Sequence, residues 1–190
     1  MNLFTVAKGS TPGGVRVRGR ELVGSIRASG AVAAGSFSQL QVGSTGAGTA
    51  FELRPGAFPR LAGYNGMYEM YKFHRANVTF QANSPTTAKG VIIAAADYDA
   101  ADSAPTTAVG MMRNISATMS NLYSDCGMAI KGDLSRLPKY LTNVLSASTD
   151  SVQSLQAKIF LAVDGADALV DNQSVGYLII EYDVEFFTPQ

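Results

Sequence analysis

The sequence has no tryptophan, one cysteine and one histidine in 190 residues, and only 16% of its residues are charged. Each shortage closes a class of explanation. A single cysteine, Cys126, makes no intrachain disulfide and no cysteine-rich zinc site. A single histidine, His74, leaves no histidine pair for a metal, and no acid or nucleophile lies near it in sequence. So few charges beside 46% hydrophobic residues exclude disorder driven by charge. Fifteen Lys and Arg balance fifteen Asp and Glu, so overall charge does not mark a nucleic-acid binder. No apolar run approaches the ~20 residues of a membrane helix. The opening MNLFTVAKGSTPGG has no signal-peptide core. GSTGAG at 43–48 lacks the lysine of a phosphate-binding loop.

What is present is a chain of one-domain size with a core to bury and an uneven charge distribution. Within residues 1–30, Lys8, Arg16, Arg18, Arg20 and Arg27 face Glu21 alone, whereas residues 141–190 set seven carboxylates against Lys158. The two ends therefore invite pairing, within one chain or between copies.

Periodicity argues for strands almost throughout. In residues 175–187, Leu178, Ile180, Tyr182, Val184 and Phe186 alternate with Ile179, Glu181, Asp183, Glu185 and Phe187, which puts three carboxylates on the face opposite the apolar one. The same period separates Val15, Val17 and Val23 from Arg16, Arg18 and Arg20, and sets Leu155, Ala157, Ile159, Leu161 and Val163 on one side. Residues 91–96 are continuously apolar and predict a strand buried on both faces. In residues 68–81, Tyr71 and Phe73 are out of phase with Val78 and Phe80, which predicts a bulge or a strong bend. Short helices are expected near 58–63, 106–112 and 137–145. Nineteen glycines and short strands between turn signals point to an antiparallel sandwich or barrel.

Four segments in order, VRVRGRELVGSI (15–26), FELRPGAFPRLAGYNGMYEMYKF (51–73), DYDAADSAP (97–105) and VGYLIIEYDVEFFTPQ (175–190), resemble the shell domain of tombusvirus- and sobemovirus-type icosahedral RNA virus coat proteins. The resemblance implies an all-β fold, an eight-stranded antiparallel jelly roll with a few short helices in loops. Its strands would cover 15–27, 49–54, 68–82, 90–97, 115–123, 127–134, 154–164 and 174–187. Members usually carry a long basic arm before the first strand and some add a protruding domain. Here fourteen residues precede Val15, with Lys8 the one basic residue among them. Residues 1–14 are accordingly expected as a short flexible segment and 15–190 as the shell domain, without a protruding domain.

Two groups of residues carry candidate chemistry. Asp97, Asp99 and Asp102 place three carboxylates within six residues after a buried strand, a donor set suited to a hard cation. The resemblance implies calcium held between neighbouring subunits, with Asp99 and Asp102 first and Asp97 third. The alternative is a loop that caps the next helix and turns at Pro105. Arg16, Arg18 and Arg20 recur at roughly 7 Å along one strand face. With Lys8, they could track an RNA backbone without reading sequence. Equally, they could pair across strands with Glu181, Asp183 and Glu185. Lys72, His74 and Arg75 form a second small basic group that would ordinarily be a solvated edge.

The expectation is thus a structural protein and not an enzyme: a coat subunit that associates with copies of itself into an icosahedral shell, the smallest being favoured. It would enclose viral RNA through weak, sequence-independent contacts, with no membrane partner, and would sit in the virion after assembly in the host cytoplasm. The rivals are a non-viral jelly-roll ligand-binding module and, further off, an enzyme using Asp97, Asp99 and Asp102 with a divalent metal.

Overall fold

The structure is a computed structural model that describes residues 4–43, 50–99, 101–142 and 151–190. Its strands in chain order are β1 (Thr5–Lys8), β2 (Val15–Ala28), β3 (Ser38–Val42), β4 (Phe51–Glu52), β5 (Tyr68–Ala82), β6 (Val91–Asp97), β7 (Thr118–Asn121), β8 (Cys126–Lys131), β9 (Tyr140–Leu141), β10 (Lys158–Asp164) and β11 (Ser174–Pro189). Two short helices, α1 (Ala108–Met112) and α2 (Ser151–Ser154), lie in connections.

The hydrogen-bonded order β7-β6-β10-β3-β2-β11-β5-β8 turns over at β3, which pairs with β10 on one side and β2 on the other. One layer is therefore β2-β11-β5-β8 and the other β3-β10-β6-β7, with β4 added to β10 and β9 to β5. All the pairings are antiparallel. This is the jelly-roll sandwich expected from the sequence. The strand expected at 49–54 is split, because β3 lies earlier and only β4 falls inside the range. Thr5–Lys8, within the segment expected to be flexible, instead pairs with β2 as a further strand.

The core follows the alternation. Leu178, Ile180, Tyr182, Val184 and Phe186 are all buried on the inner face of β11, opposite Ile26 and Val17 of β2 and Phe73, Val78 and Phe80 of β5. Phe58 closes the wedge, with its ring 5.6 Å from Phe51, 5.7 Å from Phe73 and 5.1 Å from Tyr182. That segment was expected to be a short helix. Instead 3-10 turns at Pro55–Ala57 and Ala62–Gly66 flank Phe58, whose fully buried ring determines the path. Residues 137–142 are not helical either: Tyr140 is needed in β9 beside Tyr71, and the rest of that expectation lies outside the described residues. So does most of GSTGAG.

The apolar run of β6 is buried on both faces, as expected. Ile92, Ala94 and Ala96 enter the main core, while Ile93 and Ala95 pack with Phe160, Ala162 and Met111 of α1 in a second cluster. Thr107 caps α1 by accepting the Gly110 N–H at 3.1 Å.

The phase change in β5 is a bulge at His74. Asp183 of β11 pairs with Arg75 and the next residue, Val184, with Phe73, so His74 is the extra residue. On its other side β5 pairs with β8 over 75–80 and with β9 at 70–71, which leaves Phe73 without a strand partner there among the described residues. Gln156, with 0% exposure, fills the gap: its Oε1 accepts the Phe73 N–H at 2.7 Å and its Nε2 donates to the Phe73 carbonyl at 2.7 Å. Buried backbone groups need partners, so this one side chain makes the bulge tolerable. Gln156→Ala should therefore lower stability in urea denaturation by roughly 2–4 kcal/mol, the cost of two unsatisfied buried groups. A loss under about 0.5 kcal/mol would mean that these groups find other partners.

Candidate functional site

The outward face of the β2-β11-β5-β8 sheet brings the two charged ends of the chain together. Antiparallel pairing sets Glu181 opposite Arg20, Asp183 opposite Arg18 and Glu185 opposite Arg16. Of the three opposed pairs only Arg18–Asp183 is bonded directly, and Arg16 reaches diagonally to the same carboxylate. Asp183 accepts from Arg16 through both oxygens, Nε to Oδ1 at 2.6 Å and Nη2 to Oδ2 at 2.8 Å, and from Arg18 Nε at 2.9 Å. Arg20 and Glu181 are exposed and make no ion pair among the described residues.

With Arg16 turned toward Asp183, Glu185 is left to other partners. One oxygen accepts the backbone N–H of Ser10, and Oε2 lies 2.8 Å from Nε2 of His74. The histidine that has no acid near it in sequence meets one 111 residues away. Burial pushes both carboxyls up, but their partners outweigh it. Arg16 and Arg18 hold Asp183 below the usual carboxylate range, and Ser10 and His74 do the same for Glu185. Asp183 in turn raises the Arg16 guanidinium.

The second cationic side of the face extends the basic group expected at Lys72, His74 and Arg75 by Lys131, which the sequence reading did not connect with it. Lys72 stands opposite Glu185, Arg75 opposite Asp183, and Lys131 of β8 opposite Arg75. Lys72 and Lys131 make no ion pair among the described residues, and Arg75 donates to Asn77 Oδ1 at 3.1 Å. Lys8 is exposed in β1. Strand pairing was the missing signal: Lys131 is 56 residues from Arg75 in sequence and adjacent to it in the sheet.

Glu21 departs from the pattern of its strand, lying on the core side of β2. It accepts from the Tyr182 hydroxyl and, through Oε2, from the Arg60 N–H at 3.2 Å. Burial and this carboxylate push the Tyr182 hydroxyl up. Gly19 makes room for the ring, because a Cβ there would lie 2.6 Å from the Tyr182 oxygen.

The acidic loop is built differently from a cage. Asp97 Oδ1 accepts the Asp99 N–H at 2.8 Å, and Asp99 Oδ1 accepts the Ala101 N–H at 3.0 Å. The other oxygen of Asp99 meets the Arg136 guanidinium. The Ala101 N–H, against an opposing effect of burial and together with Arg136, holds the Asp99 carboxyl below its usual range. Asp102 is exposed, and its carbonyl accepts from Lys158 Nζ at 3.0 Å. No three metal-ligating side chains converge among the described residues. The oxygens of one chain therefore do not by themselves fit calcium, which takes about 6–8 of them. Nor does the loop cap α1, whose cap is Thr107.

The depressed carboxyls set a pH dependence. A carboxyl held low in the folded state stabilises it above the ordinary carboxylate range, near pH 4, and that contribution is lost as pH falls. Asp183→Asn should cost less than about 1 kcal/mol near neutrality, since Arg16 and Arg18 are 36% and 62% exposed. Unfolding curves of the variant and the parent should converge on acidification; a gap that persists in acid would mean that Asp183 acts through packing.

The sequence matches the family described as viral coat protein (S domain) over residues 6–190. The fold is similar to that of melon necrotic spot virus, with TM-score 0.79 and 19% identity over 98% of this chain and 53% of that one. Cucumber necrosis virus gives TM-score 0.77 and 20% identity over 95% of this chain and 58% of that one. Mud crab tombus-like virus gives TM-score 0.74 and 19% identity over 97% and 93%. This chain thus spans just over half the length of the first two. No curated protein matches the sequence significantly. With the family matched across nearly its whole length and the strand order of a jelly roll on both layers, the chain belongs to the viral coat protein S-domain family.

Proposed function

We propose that this chain forms the wall of a virus particle: a coat subunit that associates with copies of itself into a closed icosahedral shell around an RNA genome. The observation that carries the reading is the S-domain match over residues 6–190, on a sandwich with the jelly-roll strand order. Exposed apolar side chains support self-association. Val109, Met112, Ile115, Met119 and Leu134 gather around α1, β7 and the end of β8, beside a groove of about 350 Å³ between the edges of the two layers. Side chains of this kind are poorly placed in water and suit burial between subunits.

RNA is contacted through phosphates, without base reading, by the outward cationic face. Arg16 and Arg18 are engaged by Asp183. Arg20, Lys72, Arg75 and Lys131, with Lys8, are the better phosphate partners. Calcium between subunits, held by Asp99 and Asp102 with Asp97, is the finer part of the proposal. It needs a second copy to supply oxygens and Arg136 to yield its place on Asp99.

Sedimentation and negative-stain microscopy of the purified protein test the shell, with closed particles expected and a monomer or trimer alone overturning it. In those particles, Lys72→Ala, Arg75→Ala and Lys131→Ala together should reduce co-purified RNA several-fold and lower the salt slope of RNA binding by about 2. Unchanged RNA content would reject this face as the contact. Swelling of particles in EDTA would support calcium, and indifference would reject it.

A further inference from the structure

Glu185 is a buried carboxylate that neither the core nor the RNA reading uses. Its side chain is 2% exposed, against 34% for that of His74. On one side it holds the backbone N–H of Ser10, and on the other it lies 2.8 Å from His74 Nε2. Ser10 belongs to the turn joining β1 to β2, which is closed by Gly9 N–H to the Gly14 carbonyl at 2.8 Å and Gly14 N–H to the Thr11 carbonyl at 2.9 Å. The turn sits directly on the carboxylate, since a Cβ on Gly9 would be 2.9 Å from Oε1. All four residues of β1 are exposed, and β1 pairs with β2 alone among the described strands. Apart from that ladder, the Glu185 carboxylate is the polar anchor of the segment among the described residues.

We propose that His74 and Glu185 form a pH-sensitive clasp on the N-terminal hairpin: a protonated His74 holds the Glu185 carboxylate in place for the Ser10 N–H, and loss of that proton loosens residues 5–14. The proposal rests on the fold and holds whether or not this face contacts RNA.

The surrounding charges leave His74 as the variable group. From β2 come Arg16 and Arg18, both directed at Asp183; from β11, Asp183 itself; from β5, Lys72 and Arg75. Lys131 and Asp133 flank the bulge from β8 and the turn at Gly132–Leu134, and Lys8 lies at the end of β1. Lysine, arginine and carboxylate side chains ordinarily keep their charge between about pH 5 and 8, where imidazole changes its own. Glu185 stays ionised there, because Ser10 and His74 outweigh the upward push of burial. Rising pH therefore removes the imidazolium and weakens the clasp. Only strong acid, which protonates Glu185, opens it from the other side. The hold is tightest in mild acid. When β1 lifts away it bares the edge of β2 at residues 15–18, where unpaired backbone groups can join another strand.

Hydrogen exchange of the full chain, read as protection factors on the peptide covering residues 4–14, tests this. Protection should fall several-fold between about pH 6 and pH 8 in the parent. It should be independent of pH in His74→Gln and stay high throughout in His74→Lys, whose charge is permanent. Lys72→Gln removes a charge opposite Glu185 without touching its hydrogen bonds, and should keep the parent's profile. A flat parent profile, an undiminished fall in His74→Gln, or abolition of the fall by Lys72→Gln would each overturn the clasp.

Discussion

Strand β11 runs through the middle of its sheet, and its strict alternation organises the rest of the molecule. One face carries Leu178, Ile180, Tyr182, Val184 and Phe186 into the interior; the other carries Glu181, Asp183 and Glu185. Because a strand repeats every two residues, a slip of one position would send the carboxylates into the core and the apolar set into solvent. The register with β2 and β5 is therefore held from both sides of the sheet. It is also what brings Arg16, Arg18, Lys72 and Arg75 up against the carboxylates.

The bulge at His74 is where the fold and the charged face meet. An extra residue in β5 shifts the phase of that strand, so that Tyr71 and Phe73 below it and Ala76, Val78 and Phe80 above it all reach the core. It also turns His74 toward Glu185. The interior accepts this irregularity because Gln156 takes both backbone groups of Phe73. Gly132 allows close approach, since a Cβ there would lie 2.9 Å from the His74 Cα. A buried amide, a glycine and the contact between His74 and the buried Glu185 carboxylate thus serve one kink.

The cations divide by what they already hold. Two arginines of β2 share one carboxylate, so their charge is largely spent within the sheet, while Arg20, Lys72 and Lys131 make no ion pair among the described residues. The acidic loop shows the same economy. Asp97 and Asp99 satisfy backbone N–H groups, and Asp99 also neutralises Arg136. If copies pack together as proposed, charge settled inside the subunit limits their mutual repulsion.

Periodicity alone determined the strands of the core, the double-sided burial of β6 and a change of phase within β5, because side-chain alternation is a local property of the backbone; that the phase change is a bulge and not a bend came from the register with β11. The cross-strand placement of the arginines against the carboxylates was legible as one of two readings, and only because the family resemblance makes those two strands neighbours. Local pattern could not supply the partners. His74 and Glu185, Gln156 and Phe73, Glu21 and Tyr182, and Arg136 and Asp99 are far apart in sequence and meet only through pairing and layer packing. Tertiary structure decided which arginines are engaged, which carboxylates are buried and where the 58–63 segment turns. Those outcomes depend on register and on the space around Phe58, and no window of neighbouring residues encodes either.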